Sequence, residues 1–265
     1  MMTIEEEQKV LLDLLKKLHD YCGTNKLRYV LAYGTLIGAV RHQGFIPWDN
    51  DVDVLMPRPD FERLKEMVKT DPVGENVKYI HYTTDPKYHY SVARIYDART
   101  KVRPAKLCEI PKEMGIYLDI FPVDGVWDDP ENHKGWLRKL RFYQRLQSAD
   151  LYGRSDKSGI KGKLKHIQHI LLPDRNNKHE RKIDEIAMQC DYDSHDKVID
   201  TAEYLHFNTY LTHEDFDDPI LMKFEQYEFN APRRYHEFLT SGYGDYMQLP
   251  PEDKREVHDF GAEWV

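Results

Sequence analysis

Asp51 and Asp53 stand two apart in the run 33–56, YGTLIGAVRHQGFIPWDNDVDVLM. Alternation along a strand puts both on one face, with Val52 and Val54 on the other. Two carboxylates side by side repel, and burying them is costly unless a positive charge sits between them. A hard divalent cation such as Mg²⁺ takes that role, held by one or two carboxylates together with substrate phosphates. A solvent-facing acidic edge strand is the plain alternative for a bare Asp-x-Asp. Gly34-Thr35 opens the same run. A glycine at a strand end lets backbone N–H groups approach a ligand, and the helix start that follows favours an anionic one. A third carboxylate, Asp119, lies inside the apolar stretch GIYLDIFPV with no turn beside it. Arg94 stands among Val92, Ile95 and Tyr96, an expensive place for a cation unless it neutralises a carboxylate or grips a phosphate.

The elements that must position these residues can be read from pattern. Thr3 and Glu6 form a capping box, and Leu11, Leu14, Leu15 and Leu18 follow helical spacing toward a stop at Gly23. Residues 27–32 read as a strand, Gly34-Thr35 as a turn, 36–41 as a short helix, and 51–54 as the acidic strand. Pro57 and Pro59 open a helix over 60–69, with Phe61, Leu64, Met67 and Val68 on its apolar side. Residues 77–82, 90–96 and 115–123 read as strands, and Asp124 as the cap of the next turn. Helices follow at 132–148, 160–172 and 181–190. Residues 191–218 read as polar and irregular, with histidines that show no zinc-ligand spacing. Residues 220–229 alternate like a strand, and Pro232 starts a helix that ends near Gly242.

The run GTLIGAVRHQGFIPWDNDVDV resembles the signature of the LicD family of phosphotransferases, which includes the fukutin-related proteins: G-[ST]-L-L-G-x-x-R-H-x-x-x-I-P-W-D-x-D-[IV]-D. Asn50 stands where many bacterial relatives have Asp, on the side away from Asp51 and Asp53. The family's D-[IV]-F-P-[LIV]-D element matches at Asp119. Its closing motif matches at YGDYMQLPP, followed by Arg255 and His258. The resemblance implies an α/β (α+β) fold: a nucleotidyltransferase-like mixed sheet flanked by helices, with a helical C-terminal cap. It implies one LicD-type domain over 1–265, with a catalytic core at 24–126 and a mainly helical part at 127–265 folding back on it.

The implied activity is transfer of phosphocholine from CDP-choline to a sugar hydroxyl of a cell-surface glycan, a lipopolysaccharide or a teichoic acid precursor that is lipid-linked. CDP-ethanolamine, CDP-glycerol and CDP-ribitol are open as donors. Asp51, Asp53 and Asp119 are the implied catalytic residues and ligands of Mg²⁺ or Mn²⁺, with Asp119 a ligand or a general base. Gly34, Thr35, Arg41, His42, Trp48, Asp49, Arg94, Arg255 and His258 are the implied substrate-binding residues. Trimethylammonium binds aromatic faces, and Trp48 is one candidate. A metal-dependent glycosyltransferase or nucleotidyltransferase could use the same Asp-x-Asp, but a glycosyltransferase would normally carry a nucleotide-binding domain before it. A non-catalytic nucleotide- or glycan-binding scaffold would be expected to lose the carboxylates, and all are present.

Composition sets the surroundings. The chain has 265 residues and a formal net charge of −8, which argues against broad nucleic-acid binding. Cys22, Cys108 and Cys190 form no C-x-x-C pair and suit a reducing cytoplasm as small buried residues. No signal-like or bilayer-length apolar segment is present. Ile160, Leu164, Ile167 and Leu171 share one helical face, with Lys157, Lys161, Lys163, Lys165, His166 and His169 around them. The expectation is that this face packs on the core. The alternative is weak docking at the inner face of an anionic membrane.

Overall fold

The computed structural model describes residues 1–103, 113–152, 159–174, 176–202, 210–255 and 261–265. Cys108, Lys157 and His258 lie outside the described residues, as do the side chains of Ile160, Lys161 and Lys165.

The chain opens with helix α1, Ile4–Asn25, capped by Thr3 with Glu6 reaching back in a capping box. Its leucines 11, 14, 15 and 18 are fully buried. Helical spacing places them on one stripe, and burying such side chains is the main favourable term in folding. Lys26, at φ 54°, ends the helix in the left-handed region.

A mixed seven-stranded sheet forms the centre. Strand β1 is only Val30–Leu31, and helix α2, Tyr33–Ile37, follows directly and continues as a wider turn over Gly38–His42. Gly34 and Thr35 therefore lie inside the first helical turn, where the sequence reading placed a separate turn before the helix. Then come β2, Asp53–Pro57, helix α3, Arg58–Met67, and the antiparallel pair β3, Val77–Ile80, and β4, Ala93–Asp97. Strand β5, Thr100–Lys101, leads to the long central strand β6, Tyr117–Gly125. β6 takes β2 in parallel on one edge and β4 antiparallel on the other, giving the order β1-β2-β6-β4-β3. A strand buried on both faces reads as a near-continuous apolar run. In β6 only Asp119 is partly exposed.

Helices α4, Pro130–Tyr152, α5, Gly159–Leu171, and α6, Lys178–Ala187, follow. α4 and α6 enclose a small core of their own around Trp136, Leu140, Ile183 and Ile186. The stretch 191–218 is more regular than its polarity suggested. It holds β7, Lys197–Asp200, which pairs with the end of β6, then β8, Leu211–Thr212, and the one-turn helix α7, Glu214–Asp217. The alternating stretch 220–229 is a hairpin rather than one strand: β9, Ile220–Phe224, turns back into β10, Tyr227–Ala231, through Glu225 at φ 55°. Helix α8, Tyr235–Tyr243, then packs Phe238 and Leu239 into the main core, with the Phe238 ring against Tyr33. A short strand β11, Glu263–Trp264, pairs with β5.

Asp124 does not cap a turn. It lies buried at the end of β6 and takes both Nε (2.8 Å) and Nη2 (2.7 Å) of Arg58, while Thr201 Oγ1 donates to it and Arg58 Nη1 reaches Asp184 at 3.2 Å. Burial alone would lower the Arg58 guanidinium, but Asp124 and Asp184 hold it far above its ordinary range. Removing one partner of a buried pair leaves the other charge uncompensated. Arg58→Ala is therefore expected to cost about 3–5 kcal/mol of folding stability in urea denaturation. Lys69→Ala, which removes the exposed pair with Glu66, is expected to cost less than about 1 kcal/mol. Similar small losses for both would contradict this account of the α3–β6 junction.

Candidate active site

The candidate site lies where β2 and β6 run side by side. Their register sets Asp53 opposite Asp119, and the Asp119 N–H donates to the Val52 carbonyl at 2.9 Å. Asp51 and Asp53 are partly exposed while Val52 and Val54 are buried, so the alternation read from sequence holds across the start of the strand. The Asp53 backbone is tied on both sides: its N–H donates to Thr35 Oγ1 at 2.9 Å, and its carbonyl accepts from Ala32 N–H at 3.0 Å. Thr35 is thus a brace beneath the acidic strand.

Gly34 answers to close approach. A Cβ built there would lie 2.8 Å from Asp49 Oδ2 and 3.8 Å from Asp51 Oδ1. Tyr33, just before it, holds a left-handed φ of 47°, a genuine outlier for a bulky residue. Its ring packs on Phe121 and Phe238, and its hydroxyl donates to Asp200. The turn that delivers Asp49 is braced by α1. Gln8 Nε2 donates to the carbonyl of Asp49 at 2.8 Å, and Asn50 Nδ2 donates to the buried carboxylate of Glu7. Asn50 therefore faces away from Asp51 and Asp53.

Arg94 pairs across β4–β6 with Asp119, and its Nε donates to Asp119 Oδ1 at 2.6 Å. Its guanidinium carbon lies 4.0 Å from the Tyr117 ring centre, 4.5 Å from that of Tyr90 and 5.6 Å from that of Tyr88. Burial alone would lower Arg94, but Asp119 and the three phenols raise it well above its ordinary value. Sequence reading found the cation but not its tyrosines, although Tyr88 and Tyr90 stand two apart just ahead of the strand.

The remaining residues divide into two groups. Arg41 Nη1 donates to the carbonyls of Tyr246 (2.6 Å) and Gln248 (3.3 Å), so it anchors the C-terminal segment. His42 stands edge-on to Trp48 with ring centres 6.3 Å apart, and burial followed by Arg41 lowers its pKa. The Arg255 guanidinium carbon lies 4.4 Å from the Trp48 ring centre, so the tail does meet this ring and covers it with a cation. His258 lies outside the described residues.

The donor set fits a hard cation. Asp49 Oδ2 and Asp51 Oδ1 lie beside Gly34, and Asp53 follows on the Asp51 face of the strand; carboxylates are the donor type Mg²⁺ takes, commonly one or two of them with phosphate oxygens completing its shell. Asp119 stands opposite Asp53 in the strand register, and Arg94 holds one of its oxygens.

Comparisons with known proteins bear on the whole chain. Residues 26–147 match the family model described as LicD/FKTN/FKRP, nucleotidyltransferase domain. The lipopolysaccharide cholinephosphotransferase LicD of Haemophilus influenzae is 33% identical over 275 residues, covering 100% of this chain and 98% of that protein. The chain belongs to the LicD family. An uncharacterized protein of Rickettsia prowazekii is 37% identical over 70 residues, 26% of each chain. For a LicD-family chain with this geometry, Gly34→Ala is expected to lower turnover at least tenfold, because the added methyl meets Asp49. Asp53→Asn should abolish turnover with the fold intact by circular dichroism. Near-wild-type turnover of purified Asp53→Asn would remove Asp53 from the chemistry.

Proposed function

We propose that this protein transfers phosphocholine from CDP-choline to a sugar hydroxyl of a lipopolysaccharide or related glycan precursor, with Mg²⁺ or Mn²⁺ at Asp51 and Asp53. One observation carries the reading: a chain alignable end to end with a cholinephosphotransferase has Asp53 and Asp119 opposite each other on paired strands, with Asp49 and Asp51 beside Gly34. A bound divalent cation would neutralise the diphosphate and stabilise the charge of the departing CMP. In the transfer, the acceptor oxygen bonds to the phosphorus bearing choline and the bond from that phosphorus to CMP breaks. CMP leaves with the electron pair, and the hydroxyl proton passes to a site base. The chain's own part is to hold charge and orientation. Arg94 at 2.6 Å stabilises the negative charge of Asp119, which favours a charge-holding role for that carboxylate over proton uptake. Trp48, partly exposed and faced by the Arg255 guanidinium, is an aromatic surface of the type that accepts a trimethylammonium.

A panel of CDP-choline, CDP-ethanolamine, CDP-glycerol and CDP-ribitol with Mg²⁺ or Mn²⁺, read by CMP release, tests the donor. CDP-choline is expected to be preferred, with no release in EDTA. Metal binding to the native state should also raise the melting temperature, more so with donor present. Release without any divalent metal would refute the metal assignment, and preference for another CDP-alcohol would refute the phosphocholine assignment.

The same reading places the enzyme beside a lipid-carried acceptor, and helix α5 supports this. Its apolar face does not pack on the core: Leu164 is 56% exposed, Ile167 50% and Leu171 71%, with Lys163 exposed next to them. No described helix is long and apolar enough to cross a membrane. A basic, outward-facing apolar helix suits weak docking on an anionic bilayer, weakened by salt. Co-sedimentation with vesicles containing anionic lipid is expected at low salt and reduced at high salt, and lost in Leu164→Glu/Ile167→Glu. Equal, negligible sedimentation of both proteins at low salt would sink the docking idea.

A further inference from the structure

A second cluster of ligand-type groups lies away from the carboxylate site, where the loop between β3 and β4 meets the start of α6. It consists of His89, Asp174 and Glu180, with one nitrogen or oxygen from each lying within 4.8 Å of the others. His89 Nδ1 is 3.2 Å from Asp174 Oδ2. The other Asp174 oxygen, Oδ1, accepts from the backbone N–H groups of Lys178 (2.6 Å) and His179 (3.2 Å), which fixes the carboxylate at the helix start. Glu180 is 1% exposed. Its Oε1 accepts from Gln147 Nε2 at 3.2 Å, and its Oε2 is buried with no hydrogen-bond partner among the described residues. The neighbouring His179 is turned elsewhere, toward the Leu172 carbonyl and Asp150, both at 3.2 Å.

An unpartnered buried carboxylate oxygen facing a second carboxylate is costly, and something positive must lie between them. A proton is the competing occupant: burial, and then Asp174, push the Glu180 carboxyl up to about 9. The imidazole separates the two possibilities. A proton shared by two carboxylates needs no third partner, whereas a histidine nitrogen beside two carboxylate oxygens is a zinc-type donor set. Ligands at about 2.0–2.1 Å from a tetrahedral zinc stand roughly 3.3 Å apart, close to the His89–Asp174 spacing of 3.2 Å.

We propose that His89, Asp174 and Glu180 form a structural site for a divalent cation of the zinc class, with water in the remaining position. The site would clamp the β3–β4 loop to the start of α6. That loop carries Tyr88 and Tyr90, whose rings lie against Arg94, and the same helix start already holds it through Asn177 Nδ2, which donates to the carbonyls of Tyr82 (3.0 Å) and Tyr88 (3.3 Å). His89, Asp174 and Glu180 are thus positioning residues for the Arg94–Asp119 pair.

The test uses the full chain carrying Asp51→Asn/Asp53→Asn, so that the carboxylate site cannot supply the signal. After chelation, the protein is titrated with Co²⁺ and Zn²⁺ and read by visible absorption of the cobalt form and by metal content after gel filtration. One equivalent with the absorption of tetrahedral cobalt is expected, together with a raised melting temperature in Zn²⁺. Both should be lost in the same chain carrying His89→Ala, whose side chain is 20% exposed and whose removal should leave the circular dichroism unchanged. Glu180→Gln is the second variant, with the same expected loss. Absence of the cobalt absorption in the Asp51→Asn/Asp53→Asn chain, or its persistence after His89→Ala, would overturn the proposal and leave the cluster with a shared proton.

Discussion

The parallel pairing of β2 with β6 is the constraint on which the rest depends. It sets Asp53 beside Asp119, and two carboxylates on neighbouring strands repel. The next strand answers that charge in the same row, since Arg94 pairs with Asp119 in the β4–β6 register and bonds to it. Three adjacent strands therefore carry negative, negative and positive groups along one line of the sheet. The line can sit in a mostly apolar sheet because it opens to solvent at Asp53 and Asp119 and is closed by rings at Arg94. A cation arriving at Asp51 and Asp53 would complete a balance that the sheet leaves on the acidic side.

The loop that brings Asp49 and Asp51 to this line is held by helices outside the motif. Helix α1 reads as a plain packing element, yet Gln8 and Glu7 on it bond to Asp49 and Asn50. From the other side, α2 presses Gly34 against Asp49 and Thr35 against the Asp53 backbone. The left-handed Tyr33 is the joint between β1 and α2. A conformation of that kind costs of order 1–3 kcal/mol and persists only where its surroundings fix it, here Phe121, Phe238 and Asp200.

Much of the candidate site was legible because its signals are local. The two-residue period placed Asp51 and Asp53 on one face, and the apolar context of Asp119 and Arg94 marked both as needing partners. What escaped was long-range pairing. Nothing near Asp124 in the chain announces Arg58 or Asp184, so a polar residue after Pro122 read as a turn cap. The hairpin at 220–231 was read as one strand because its turn is Glu225-Gln226, without the Gly or Asn that usually marks a left-handed turn residue. Helix α5 was expected to bury its apolar face because most amphipathic helices do, and helical spacing alone does not say what lies opposite.

The helical part lies outside the sequence motifs, yet its contacts reach back to the acidic row. Asp184 on α6 accepts from the Tyr82 hydroxyl at 2.6 Å and from Arg58 at 3.2 Å. Asn177, buried at φ 54°, holds the carbonyls of Tyr82 and Tyr88. These bonds set the course of the loop that lays Tyr88 and Tyr90 against Arg94. A fully buried guanidinium with an apolar surround would be too costly to keep, so Arg94 depends on those rings, and Asp119 depends on Arg94. Loosening α6 would therefore act on the acidic row from behind, with no carboxylate changed.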